Sequence, residues 1–158
     1  MRTVTHVPGC AAFVLLLSAQ IAGMAQDIPA GAWAGRWKLN LGQSSFPGRP
    51  APQDDQLLIQ PDGTVTVFET NARGEKSSWS YKPQAGRSVE VSGRTNWTVI
   101  ARKVNDHRTE QTWNFNGHMA KSWATLSRDG TRQTFHLSGT NELGKPFHQV
   151  VVYDKSKE

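Results

Sequence analysis

Hydrophobic and polar side chains alternate along most of the chain from Trp33 onward. In the segment 96–104, for example, Trp97, Val99 and Ala101 share one face. Successive side chains of a β-strand point to opposite faces of a sheet, so a period of two predicts strands. No segment after Ala25 has convincing helical spacing. The pattern therefore predicts an all-β protein.

Short turn signals separate the alternating segments. Asn116-Gly117 and Asp129-Gly130 are typical of them, because a tight hairpin turn needs residues that tolerate positive φ. Most of these signals lie about 8 to 12 residues apart, the spacing expected in a β-sandwich or β-barrel. They divide the chain into ten predicted strands, at residues 35–41, 55–60, 64–70, 75–82, 87–92, 96–104, 107–115, 118–127, 131–138 and 146–154.

Short connections make successive strands antiparallel neighbours, so we expect a meander. Closure of about 8 to 10 meandering strands into a barrel removes exposed sheet edges, and an open sandwich of two sheets is the alternative. Residues 42–52 form the one long irregular connection, with prolines at 47, 50 and 52. Proline donates no ladder hydrogen bond, so we expect a rim loop or lid there.

Residues 1–25 have the features of a secretory signal peptide. Arg2 precedes an apolar run at residues 11–17, and Gly23-Met24-Ala25 provides a small-residue cleavage site. The run is shorter than the roughly 20 helical residues that span a membrane. We therefore expect cleavage after Ala25, export to the periplasm or the extracellular space, and no transmembrane segment in the mature chain. Residues 26–32 are interpreted as a flexible leader and residues 33–158 as a single barrel domain.

Composition supports one ordinary globular domain. The chain has 158 residues, 37% of them hydrophobic, and a single cysteine, Cys10, which would leave with the signal peptide. The mature chain would then be held together by its core without disulfides. Loss of Arg2 leaves 17 basic and 13 acidic residues, a net charge of +4. This mild excess requires no nucleic-acid partner.

A family resemblance adds to this interpretation. It rests on Gly35-Arg36-Trp37 in the first predicted strand, on Ser127-Arg128-Asp129-Gly130-Thr131, and on the closing segment Val150-Val151-Val152-Tyr153-Asp154-Lys155. Over residues 34–155 the chain is similar to a group of uncharacterised exported bacterial lipocalin-like (calycin-type) small β-barrel proteins. The resemblance implies a calyx-shaped barrel closed from an antiparallel meander. The group has no established activity or site residues to transfer.

Candidate metal ligands are few and dispersed. The mature chain has four histidines, His107, His118, His136 and His148. None of them has the close spacing typical of a metal site, so we predict no metal. His136 and His148 follow Phe135 and Phe147. If those phenylalanines are part of the core, both histidines lie on the outer surface. The alternative roles for the histidines are a polar contact to a ligand inside the barrel and a metal ligand.

The sequence contains no recognisable catalytic motif. There is no Gly-x-Ser-x-Gly elbow, and carboxylates such as Asp55 and Glu69 lie in or near predicted turns, where solvated side chains are the usual state. Scattered basic residues suit a solvated outer face. We therefore expect neither an enzyme nor a cofactor.

Six tryptophans are the most unusual feature of the composition. Each buries a large apolar ring and needs a hydrogen-bond partner for its indole N–H. A tryptophan of this kind can either pack in the core or line a cavity. We name Trp37, Trp113, Trp123 and Phe135 as candidate ligand-binding residues. Whether Trp113 and Trp123 share a face depends on strand register, which the pattern leaves open.

Two functions fit this sequence. The first is an exported, non-enzymatic lipocalin-like binding protein for a small apolar or amphipathic ligand, because the presumed inward faces mix aromatic and polar residues. The second is an envelope protein-protein interaction or inhibitor scaffold that acts through its loops, where binding surfaces usually lie. The sequence identifies neither the ligand nor the oligomeric state.

Overall fold

The computed structural model describes residues 27–140 and 144–157. The predicted signal peptide lies outside the described residues. The described chain is all-β, as predicted, with two short 3-10 helices at Gly31–Trp33 and Leu41–Gln43. The strands are β1 (Gly35–Leu39), β2 (Asp54–Ile59), β3 (Val65–Thr70), β4 (Lys76–Tyr81), β5 (Ser88–Glu90), β6 (Trp97–Asn105), β7 (Arg108–Phe115), β8 (His118–Leu126), β9 (Arg132–Thr140) and β10 (Pro146–Lys155). Neither described helix is long and apolar enough to cross a membrane.

The ten strands form a nearly closed antiparallel barrel. They follow one another as a meander, and β1 also pairs with β10, so that first and last strands are neighbours. Among the described residues, one isolated bridge links β4 to the segment just after β5, where the backbone N and O atoms of Ser80 and Ser92 exchange hydrogen bonds of 3.0 and 2.8 Å. The predicted antiparallel barrel is thus confirmed, with its weakest seam between β4 and β5.

The region after β1 departs slightly from the predicted strand limits. β1 ends at Leu39 rather than at residue 41 because the Asn40 side chain accepts a hydrogen bond from the Gln43 backbone and caps the second 3-10 helix. The chain then returns to the sheet, where Ser45 forms an isolated bridge with Val150 of β10. The irregular segment 42–52 is therefore partly tied to the barrel wall.

Residues 27–33 pack across one end of the barrel. Ala30 donates to the carbonyl of Pro61 in the β2–β3 turn, and Trp33 Nε1 donates to the carbonyl of Asp106 in the β6–β7 turn, at 2.9 Å. Gly63 has φ +88°, and a Cβ there would lie 2.1 Å from the Ile28 carbonyl oxygen. The described part of the predicted flexible leader, residues 27–32, thus contacts the barrel. Burial of Ala30 and Trp33 holds the segment in place.

The buried core falls into two clusters. One lies next to the N-terminal segment and contains Trp37, which is 1% exposed and donates its indole N–H to the Trp33 carbonyl at 2.9 Å. The other is built around Val99 and Trp113, on neighbouring strands β6 and β7. The barrel interior between these clusters is where we find the candidate site.

Candidate functional site

The barrel contains a cavity of about 250 Å³ that is partly open to solvent. An apolar cavity of about 150 Å³ in another protein holds benzene, so this volume suits a molecule of about ten non-hydrogen atoms. Inward-facing residues of the strands and of the N-terminal segment line the cavity. Its apolar walls include Ile28, Leu57, Ile59, Val65, Val67, Trp79, Tyr81, Trp97, Trp113, Phe115, Phe135, Leu137 and Val151.

Aromatic rings form one wall of this cavity. Trp79 and Tyr81 follow the inward alternation of β4, and both contact Trp113 edge to face, with ring centroids 6.0 and 5.3 Å apart. Trp97 of β6 contacts Phe115 of β7 at 4.6 Å. Offset and edge-to-face contacts of this kind stabilise aromatic clusters beyond their buried area. The wall is therefore a preformed apolar surface.

A buried hydrogen-bond chain supports the wall. Trp113 Nε1 donates to Ser122 Oγ at 3.0 Å, and Ser122 Oγ donates to Gln111 Oε1 at 2.9 Å. Ser122 is 3% exposed. Gln111 is also hydrogen-bonded to Tyr81, whose hydroxyl pKa is raised by burial. The chain fixes the orientation of Trp113, and burial keeps the Tyr81 hydroxyl neutral.

Two carboxylates face the cavity from adjacent strands. Asp55 of β2 and Glu69 of β3 are direct cross-strand partners. Tyr153 donates its hydroxyl to Asp55 Oδ2 at 3.1 Å. Burial raises the pKa of Asp55 to about 7; the Tyr153 hydrogen bond lowers it and the Glu69 charge raises it. Asp55 is thus partly protonated near neutral pH, in contrast to the solvated turn carboxylate expected from the sequence.

Several buried polar atoms lack a hydrogen-bond partner among the described residues. Three of them belong to cavity-lining side chains: Asp55 Oδ1, Trp79 Nε1 and Gln133 Nε2. Gln133 is only 4% exposed. A buried polar group without a partner costs about 1–3 kcal/mol. A bound molecule that paired with these atoms would recover that cost.

The four candidate residues from the sequence lie in three different places. Trp113 and Phe135 line the cavity. Trp37 packs in the core and is not part of the lining. Trp123 lies on the outer face, where its ring stacks on His136 with centroids 4.6 Å apart. A ligand-binding role for Trp113 and Phe135 remains a prediction.

The position of Trp123 follows from strand register. In the β7–β8 hairpin Phe115 pairs with His118, which places Trp123 opposite Glu110 and not opposite Gln111 or Trp113. Glu110 alternates to the outer face. The two-residue Asn116-Gly117 turn was the signal that could have fixed this register. Sequence reasoning also missed the lining residues Trp33, Trp79, Trp97, Asp55 and Gln133.

The outer face carries the histidines that the sequence singled out. His136 and His148 have ring centroids 6.0 Å apart, and the pKa of His136 is lowered by partial burial and by the nearby charges of His148 and Arg108. Within residues 27–140 and 144–157, no group of three or more potential ligands is arranged to hold a metal ion.

The barrel is similar in fold to solved structures of two other kinds of protein. The wild-type fluorescent protein UnaG has a TM-score of 0.55 and 15% identity, over 80% of this chain and 99% of its own. A Schistosoma mansoni fatty acid binding protein in complex with arachidonic acid has a TM-score of 0.54 and 12% identity, over 82% of this chain and 100% of its own. At these identities the similarity shows the fold. No protein-family model and no curated protein matches the chain.

Proposed function

We propose that this chain is a non-enzymatic binding protein that takes a small, mainly apolar ligand inside its barrel. The observation that carries the proposal is the cavity of about 250 Å³, with mainly apolar walls and a few polar groups at defined positions. Small-molecule sites are typically apolar concavities in which a few polar groups fix the orientation of the ligand. The Schistosoma mansoni protein of the same fold, which is a fatty acid binding protein, supports the proposal by analogy.

A cavity-filling variant tests whether binding occurs inside the barrel. Ala124 lines the cavity, so Ala124→Trp would occupy much of its volume. Thr125 is its neighbour on β8 and points to the opposite face, so Thr125→Trp adds the same side chain outside. Titration of an apolar fluorescent dye, with circular dichroism to verify folding, should show binding by the wild type and Thr125→Trp and its loss in Ala124→Trp. Equal binding by both variants would refute an interior site.

Export is the second part of the proposal. It rests on the basic start, apolar run and small-residue cleavage site within the segment 1–25. Expression of the full chain in a bacterial host, followed by intact-mass measurement of the periplasmic and medium fractions, tests it. We expect a product whose mass matches the chain from Gln26 to Glu158. Recovery of the uncleaved chain from the cytoplasm alone would contradict export.

A further inference from the structure

The charges around Asp55 bear on the kind of polar group that a ligand can carry. Asp55 and Glu69 are direct cross-strand partners on the cavity side of the sheet. Arg94 Nη2 lies 3.7 Å from Glu69 Oε2, and Arg49 is the cation that lowers the pKa of Asp55. A ligand carboxylate at this position would therefore approach two carboxyl groups, and like charges repel one another.

Two further lining cations are already matched by carboxylates elsewhere. Arg102 Nη2 lies 2.6 Å from Glu110 Oε2, and Lys103 Nζ lies 2.6 Å from Asp106 Oδ1. Transfer of either cation to a ligand anion would break an existing ion pair. Arg49, the third lining cation, is exposed and lies over the Phe46 ring, 5.5 Å from its centroid. Because all three lining cations are exposed, the described lining offers a ligand carboxylate no buried cation.

The unpaired atoms near Tyr153 define a complementary polar group. Tyr153 donates to Asp55 Oδ2, which leaves Asp55 Oδ1 as a buried acceptor without a partner. Gln133 lies directly opposite Tyr153 in the β9–β10 pair, and its Nε2 is a buried donor without a partner. One acceptor and one donor thus flank the same tyrosine. A hydroxyl group can donate one hydrogen bond and accept another, so it can satisfy both atoms.

We propose that the cavity selects an uncharged apolar alcohol, whose hydroxyl group donates to Asp55 and accepts from Gln133, over a ligand with a carboxylate head group. This inference rests on the proposed function, because it names the ligand class of the same cavity. Apolar walls and a volume suited to about ten non-hydrogen atoms set the size of the remainder of the ligand. A ten-carbon chain with one polar end is a suitable probe.

Three probes that differ only at one end test the inference: 1-decanol, decylamine and decanoate, each titrated calorimetrically at pH 7.5 below its aggregation concentration. We expect 1-decanol to bind at least about tenfold more tightly than decanoate, because only the hydroxyl group pairs both buried atoms. The inference would be overturned if decanoate bound as tightly as 1-decanol, or if decylamine bound more tightly than 1-decanol. Either result would leave the proposal of interior binding intact. Binding of none of the three would refute the proposed function itself.

Variants locate the selectivity. Asp55→Asn removes the carboxylate and should reduce the decanol-to-decanoate preference to about threefold or less, mainly by strengthening decanoate binding. Gln133→Leu should weaken the binding of 1-decanol by about tenfold, because the variant lacks the Nε2 donor of Gln133. The matched control is Glu90→Gln, which removes one negative charge from an exposed position on β5 outside the cavity lining and should leave the preference unchanged. An unchanged preference in Asp55→Asn, together with unchanged 1-decanol affinity in Gln133→Leu, would overturn the assignment.

Discussion

Asp55→Asn should change how stability depends on pH. In the folded protein, burial raises the pKa of this carboxyl group from 3.8 to about 7, against the lowering effect of the Tyr153 hydrogen bond. The difference corresponds to about 4 kcal/mol between the protonated and ionised forms. Because the carboxyl group is partly buried and its Oδ1 is buried, solvent screening removes only part of this value. Substitution by asparagine eliminates the ionisation and keeps a similar shape.

The direction of the effect follows from proton binding. Between about pH 4 and pH 7 the folded protein holds a proton on Asp55 that the unfolded chain has released. Unfolding therefore releases a proton, and the Asp55 contribution to stability falls as the pH rises through this range. Below pH 4 both states are protonated, and above pH 7 both are ionised, so the contribution is constant there. The asparagine variant lacks this contribution throughout.

Urea unfolding of both proteins at pH 4 and at pH 8.5 measures the effect. The free energy of unfolding of Asp55→Asn minus that of the wild type should be about 2–4 kcal/mol more positive at pH 8.5 than at pH 4, the lower figure allowing for solvent screening. Any constant cost of burying the amide cancels in this comparison, as do pH effects of unaltered groups such as His136. A difference that does not change with pH, or that changes in the opposite direction, would refute the assignment of a buried carboxyl group with a raised pKa.

Three other substitutions test separate parts of the structure. Ser122→Ala removes the acceptor of the Trp113 indole N–H and should destabilise the fold by about 1–3 kcal/mol in urea unfolding; a neutral effect would contradict the buried hydrogen-bond chain. Gly63→Ala places a Cβ against the Ile28 carbonyl at positive φ, so limited proteolysis should cut residues 27–33 faster than in the wild type, whereas equal rates would argue against the packed segment. Trp123→Ala removes an outer-face ring and should leave apolar-dye affinity within about twofold of the wild type, a larger loss being evidence that this face takes part in binding.

Much of the fold could be predicted from the sequence because the determining signals are local. Alternation with period two and glycine-bearing turns placed all ten strands within about two residues of their observed limits, as at β7 and β8. The packed N-terminal segment was not predicted. It has no periodic pattern, and the turns that it contacts, at Pro61 and Asp106, are distant in sequence.

The candidate site was less predictable because it depends on which face each residue takes and on long-range burial. Register moves Trp123 to the outside, although it is as aromatic as Trp113. Asp55 follows a polar loop, and nothing local indicates that its carboxyl group is buried beside Tyr153, which is 98 positions away in the chain. The composition and the alternation of the strands are sufficient to predict that the lining is mainly apolar. Its polar groups emerge only when β2, β9 and β10 are brought together.

The central claim is that a small apolar molecule binds inside the barrel, and a crystal structure of the protein with 1-decanol tests it most directly. The account predicts continuous density for the alcohol within the cavity, in contact with Leu57 and Phe135, with its hydroxyl group at Asp55. Density for the alcohol only on the outer face at Trp123, with the cavity closed by collapsed side chains, would contradict the account.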